Sequence, residues 1–341
     1  MIRLLSLALL ITGSYSAFSQ TAPPNKETLK KKYESSDIDK EIKKKMQSDI
    51  QYPDSIVLPP LHFINTFVPL DTANLNFQSF SVDVEIKTEI PKGYNFYISP
   101  FNASFNGIPY YGGIQTSSDG RPVKGGKDRK IGRGGIFSRW MERDTAALKG
   151  DGYYASSDGE GDFISVRNKV KWDKGSYRLT LYKSGEVKGK PLPAGFKSKD
   201  LMFAWGEYEH SWVSMSVQNL LTGQKVIIGS MAFPGKKLSI SPYNIIFLEQ
   251  YGTVINFAKK KPKAASLAVN YKDLPIVKLE IKNILMNGKA VIPAKVTTLV
   301  NRTHHPEQSK IAMPIPVLSK DAYDAKTGIL SYEVGGFQRW K

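Results

Sequence analysis

Apolar and polar residues alternate along much of this chain with a period of two, a pattern that points to a β-rich fold. Phe80-Ser81-Val82-Asp83-Val84-Glu85-Ile86-Lys87 switches at every step, the signature of an antiparallel strand with one buried face. The run Ile164 to Trp172 repeats it, setting Ser165, Arg167, Lys169 and Lys171 against Ile164, Val166, Val170 and Trp172. Tyr177 to Tyr182 follows after the turn Asp173-Lys174-Gly175, so these two runs are expected to pair as a hairpin. Further strands are expected at 95–101, 108–116, 135–141, 212–218, 225–232 and 244–250. Many short strands with glycine-rich turns imply an antiparallel sandwich or jelly roll.

The ends differ from this middle. Arg3, the apolar run Leu4 to Ile11 and the small residues before Gln20 read as a secretory signal with cleavage after Ser19, too short for the ~20 apolar residues of a membrane span. Residues 20–52 form a lysine-rich segment in which Ile38, Ile42, Met46 and Ile50 recur at spacing four, the stripe of a short N-terminal helix capped by Asp37. Residues 53–258 form the sandwich domain. Lys259-Lys260-Lys261-Pro262-Lys263 marks its end. Residues 264–341 are then a small C-terminal β subdomain or an extension of the sandwich, with a turn at Asn287-Gly288. No later stretch is apolar enough for a transmembrane segment, so a secreted or periplasmic protein is expected.

Such a compartment is oxidising, yet the chain has no cysteine. That removes disulfides, thiolate nucleophiles and zinc–cysteine sites together. The net charge of +17 favours an anionic partner, and export argues against nucleic acid. Nothing in the sequence sets the oligomeric state.

Four motifs occur in order: Tyr111-Gly112-Gly113-Ile114-Gln115, Ile136-Phe137-Ser138-Arg139-Trp140, Gly159-Glu160-Gly161 and Trp172-Asp173-Lys174-Gly175-Ser176-Tyr177. Together they resemble a family of secreted bacterial proteins known as domain of unknown function 3472, over residues 95–255. The resemblance implies a concanavalin-like or jelly-roll sandwich found beside carbohydrate-active domains, with no established activity. A basic loop at 118–134 and Pro191-Leu192-Pro193 depart from the family pattern.

These residues suggest a carbohydrate-binding face for an acidic polysaccharide. Tyr111 and Trp140 would stack on sugar rings, Gln115 and Arg139 would supply hydrogen bonds and charge, and Glu160 would be a polar edge group. Two enzymatic alternatives use the same face. A glycoside hydrolase would pair Glu207 with Glu209, which one strand would point to one side; a polysaccharide lyase would set His210 and Tyr177 beside Gln115 and Arg139. The further alternative is a structural envelope protein. No metal site or cofactor is expected, although Asp151, Asp158, Glu160 and Asp162 between glycines leave calcium open.

Overall fold

A computed structural model describes residues 57–58, 61–71, 75–91, 94–157, 162–195, 205–251, 269–270, 275–300, 303–304, 313–314 and 317–337. The expected signal peptide, the lysine-rich helix and the lysine run at 259–261 lie outside the described residues.

The fold is mainly β, two antiparallel sheets packed face to face. One sheet has eight strands. From edge to edge they are β17 (Thr297–Val300), β2 (Leu61–Pro69), β13 (Tyr243–Gln250), β4 (Phe96–Phe105), β5 (Ile108–Pro122), β6 (Arg129–Trp140), β9 (Phe163–Lys169) and β8 (Tyr153–Ser157). The other sheet has nine. It runs β20 (Val317–Asp324), β21 (Ile329–Phe337), β15 (Ile276–Met286), β3 (Ser79–Ile86), β10 (Gly175–Val187), β11 (His210–Asn219), β12 (Lys225–Pro234) and β7 (Leu148–Lys149), with β16 (Lys289–Ala290) on β15. Two short ribbons, β1 (Val57–Leu58) with β14 (Val269–Asn270) and β18 (Thr303–His304) with β19 (Met313–Pro314), complete the set. Strands from beyond residue 275 hydrogen-bond into both sheets, β15 beside β3 and β17 beside β2.

Alternation explains what lies between the sheets. Val82 and Val84 of β3, Leu179 and Leu181 of β10, and Val213, Met215 and Val217 of β11 meet Ile98, Ile114, Phe137, Ile164 and Val166 of the eight-stranded sheet, all in one apolar cluster. Removing this surface from water is the main force holding the sandwich together. Asn287 and Gly288 turn β15 into β16 with φ of 50° and 78°, the left-handed pair that a two-residue hairpin needs.

The hairpin expected from 164–172 and 177–182 does not form. β9 pairs with β6 and β8, whereas β10 pairs with β3 and β11. Val170 and Trp172 are both buried in the core, so the chain leaves one sheet, anchors its crossover in the interior and enters the other. Two alternating runs look the same whether they pair with each other or face each other.

The outward faces of the two sheets are chemically unlike. Across the nine-stranded sheet opposite charges pair between neighbouring strands. Arg178 holds Asp83 through Nε–Oδ1 at 2.7 Å and Nη2–Oδ2 at 2.8 Å, Asn283 Nδ2 adds a third bond at 2.8 Å, and Lys282 pairs with Glu85, Lys87 with Glu280 and Lys278 with Glu333. This is a self-neutralising coat.

Candidate functional site

The outward face of the eight-stranded sheet carries aromatic rings instead. His62 of β2 stacks on Phe247 of β13 at 4.7 Å, and Phe247 meets Tyr97 of β4 at 5.3 Å. Tyr97 meets Tyr111 of β5 at 6.3 Å, Tyr111 meets Trp140 of β6 at 6.2 Å, and Trp140 meets Phe163 of β9 at 5.8 Å. The row crosses six neighbouring strands. Each contact lies within the range in which aromatic pairs attract beyond simple burial.

Tyr251 divides this row. Its hydroxyl accepts from Ser117 N at 2.9 Å and donates to Ser117 O at 2.7 Å, so the ring lies across β4 from β13 to β5. Beneath that end Tyr97 and Phe247 keep only 2% and 5% of their surface, packed with Ile136 in a small outer cluster. Burial pushes the Tyr251 phenol up to about 12, with the bonds to Ser117 acting the other way. At the other end Tyr111, Trp140 and Phe163 are half-buried and open. Ser138, fully buried in register between Tyr111 and Ser165, has no partner for its hydroxyl. Arg167 lies along the same face, bonding Ser165 Oγ at 3.1 Å and Asp119 Oδ1 at 2.7 Å.

The residues singled out from sequence are dispersed. Gln115 is half-buried on this face, in register with Tyr97 and Gly134. Arg139 is not beside it. It pairs with Tyr110, five residues or roughly 17 Å along the strand, and points into the interior, where it is 1% exposed. There its Nη1 donates to Ala232 O, its guanidinium lies over Phe233 at 5.3 Å, and Nη2 is 3.9 Å from Glu142 Oε2. Burial lowers the Arg139 pKa to about 10, against the attraction of Glu142. Burial raises that of Glu142, against bonds from the Asp144 and Arg143 amides and the charge of Arg139. Trp140 and Arg139 are consecutive on a strand and so face opposite ways. Glu160 lies outside the described residues.

The catalytic candidates separate as well. Tyr177 is a core residue whose hydroxyl accepts from Asp173 N at 2.9 Å. His210 is at the far end of the same strand pair, since Tyr177 pairs with Asn219 and His210 with Val187, ten residues or roughly 33 Å away. Its Nδ1 is 2.8 Å from Tyr208 O and its ring stands edge-on to Trp212. Glu207 closes a 3-10 turn, Trp205–Glu207, exposed and bound to Lys190 at 2.9 Å, whereas Glu209 pairs with Lys236 at 3.0 Å. The two acids therefore share no strand face. Of the calcium candidates Asp158 lies, with Glu160, outside the described residues, Asp151 is 3.7 Å from Lys124 and Asp162 is 2.9 Å from Arg143. Among the described residues no group of three or more His, Asp or Glu is placed to hold a metal ion.

No family model matches this chain. No curated protein matches it by sequence. Among solved structures it is similar to scytalido-glutamic peptidase with a peptide-based transition state analog, at 7% identity and a TM-score of 0.37 over 82% of this chain and 99% of that one. A second structure of that peptidase with a transition state analog inhibitor gives 8% identity and 0.33 over 83% and 98%. SCP-B, a member of the Eqolisin family of peptidases in complex with the tripeptide Ala-Ile-His, gives 9% and 0.31 over 82% and 99%. At these TM-scores the likeness supports neither a shared site nor a shared chemistry.

The resemblance to domain of unknown function 3472 is corrected, because no family model matches this chain. The carbohydrate partner and both glycan-cleaving alternatives fall with it. The geometry agrees: the rings meet at 81°, 68°, 50° and 62°, and Tyr97 and Phe247 are buried, so the row forms no coplanar open platform.

Proposed function

We propose that this chain recognises a polypeptide on the open half of the aromatic row, with Tyr111, Trp140 and Phe163 as anchors. The observation that carries the reading is the tilt of these rings, 50° between Tyr111 and Trp140 and 62° between Trp140 and Phe163. Tilted rings leave wedge-shaped gaps that fit side chains. Tyr and Trp are the residue types that dominate binding energy at protein interfaces, and Arg167 beside them is a third. Gln115 offers both a donor and an acceptor, matching a peptide group. The unpartnered Ser138 hydroxyl adds a polar point beneath the rings. Export, read from residues 1–19, and a jelly-roll, concanavalin-like winding belong to the same proposal; the crossover from β9 to β10 supports the latter.

Selection of a random peptide library on the full chain, followed by calorimetric titration of the enriched peptides, tests this. Trp140→Ala and Tyr111→Ala are each expected to weaken binding by about tenfold or more, the loss typical of a central aromatic anchor. Failure to enrich any peptide, or equal binding by both variants, would remove the reading.

A further inference from the structure

The end of the sandwich where β9 hands the chain to β10 carries features that the aromatic face does not use. Here the tip of the β11–β12 hairpin displays Leu220 and Leu221, the second 92% exposed. The tip is held in place. Asn219 Oδ1 accepts from Leu221 N at 2.9 Å and Thr222 N at 3.0 Å, Gly223 N donates to Asn219 O at 2.9 Å, and Leu220 N donates to Ser176 O at 2.9 Å. Gly223 supplies the left-handed turn, with φ of 73°. Two more exposed apolar side chains lie at this end, Ile227 near the start of β12 and Ile276 at the start of β15. Scattered exposed leucines are ordinary, but apolar side chains gathered at one end mark a contact surface.

Beside the tip is a hollow of about 400 Å³ walled by Arg133, Lys169, Lys171, Trp172, Asp173 and Tyr177. Ser176, whose carbonyl holds Leu220, adjoins Tyr177, so tip and hollow are continuous. The Arg133 guanidinium lies 4.6 Å above the Trp172 ring, and its Nη2 donates to Ile90 O at 2.6 Å. Arg133 Nη1 and Trp172 Nε1 are both buried N–H groups without a partner, a state that costs free energy until an acceptor arrives. Asp173, 3.5 Å from Arg133, is the acid in the wall. Among the described residues Lys169, Lys171 and Lys174 have no acidic partner.

We propose that this end docks on an anionic phospholipid surface. Leu220 and Leu221 enter the boundary between headgroups and acyl chains, and a lipid phosphate settles among Arg133, Lys169 and Lys171. A bilayer surface supplies both chemistries at once, apolar depth for the leucines and phosphate oxygens for the cations and unsatisfied donors. Exposed leucines of a rigid tip enter without a folding cost.

The test uses the full chain with phosphatidylcholine vesicles, with and without phosphatidylglycerol. The chain has no cysteine, so Leu221→Cys carries a single nitrobenzoxadiazole fluorophore at the tip, and quenching by spin-labelled lipid reports whether that tip, not another basic segment, meets the bilayer. Quenching is expected with phosphatidylglycerol and absent without it. Lys169→Glu with Lys171→Glu is expected to weaken vesicle binding by about a hundredfold or more, since each unit of charge near such a surface is worth about fivefold and the two reversals change four units. All three positions are exposed or at the hollow's rim, so thermal melting should confirm that the variants fold. An unquenched label at position 221, or charge-reversed protein that binds as before, would overturn the proposal. So would inorganic phosphate raising the melting temperature while vesicles leave the fluorescence unchanged, which would assign the hollow to a soluble phosphate-bearing ligand.

Discussion

Tyr251 holds both backbone polar groups of Ser117 with one hydroxyl, accepting from the amide at 2.9 Å and donating to the carbonyl at 2.7 Å. The ring that spans this distance packs, together with Tyr111, on the buried Tyr97 and Phe247. Tyr251→Phe keeps the ring and deletes both bonds. A net hydrogen bond contributes roughly 1 kcal/mol, and Ser117 is exposed, so water takes the place of the phenol and a loss of about 1 kcal/mol is expected. Urea unfolding measures it. An unchanged midpoint would show that the packing of the ring suffices without the bonds.

The interior ion pair predicts a different pattern. Arg139 and Glu142 are both buried, 3.9 Å apart, and two backbone amides, Arg143 N and Asp144 N, already bind the carboxylate at 2.9 and 2.8 Å. Removing one partner strands the other charge in a poorly solvated place. Arg139→Met is expected to cost about 3–5 kcal/mol, and adding Glu142→Gln should recover part of that loss, because no buried charge then remains. Chemical denaturation of the two single variants and the double variant checks the sign of the coupling. Strict additivity would refute it.

Alkaline pH should unfold the protein by a route visible in its phenols. Burial raises the pKa of Tyr94, Tyr97, Tyr110 and Tyr332, and pushes Tyr251 up to about 12. A folded-state pKa raised above the unfolded value of about 10 gives stability that is complete below pH 10 and lost as the pH climbs. Arg139, drawn down to about 10 by burial, works in the opposite sense, since its buried charge ceases to cost as it deprotonates. Each group shifts the balance by about 1.4 kcal/mol per pH unit, so five phenols outweigh one guanidinium. Melting temperatures should hold from pH 8 to about 10 and then fall steeply, with phenolate absorbance at 295 nm rising together with unfolding. Ionisation of all seventeen tyrosines in a still-folded protein would contradict this.

How much of this could be read from the chain depended on whether local periodicity or long-range pairing decided the matter. Strand positions such as Ser79–Ile86 and Ile276–Met286 follow from alternation, and the Asn287-Gly288 turn from its residue types. Parity alone also separates Arg139 from Trp140, because neighbours on a strand face opposite ways, so one sheet face cannot use both. The aromatic row was not legible. Its rings come from residues 62, 247, 97, 111, 140 and 163, brought together by the strand order β2, β13, β4, β5, β6, β9, in which β13 arrives from far along the sequence. Nor was the split between β9 and β10, since sheet membership depends on partners that no local pattern names.

The glycine pair within Tyr111-Gly112-Gly113-Ile114 can be tested residue by residue. The register between β4 and β5 shifts between Ile98 and Phe101, and the displaced strand presses directly on Gly113. A Cβ there would lie 2.0 Å from Ile98 O and 2.8 Å from Ser99 Cα, both backbone atoms that cannot rotate aside. On Gly112 the nearest atom is Met215 Sδ at 3.0 Å, the end of a flexible side chain. Gly113→Ala should therefore cost about 3 kcal/mol or more and force β4 away from β5, whereas Gly112→Ala should cost about 1 kcal/mol as Met215 repacks. Amide exchange along Phe96–Phe105 separates the two outcomes. Faster exchange in Gly113→Ala with little change in Gly112→Ala is expected. Equal effects would mean that the close approach of the strands is not what requires glycine at position 113.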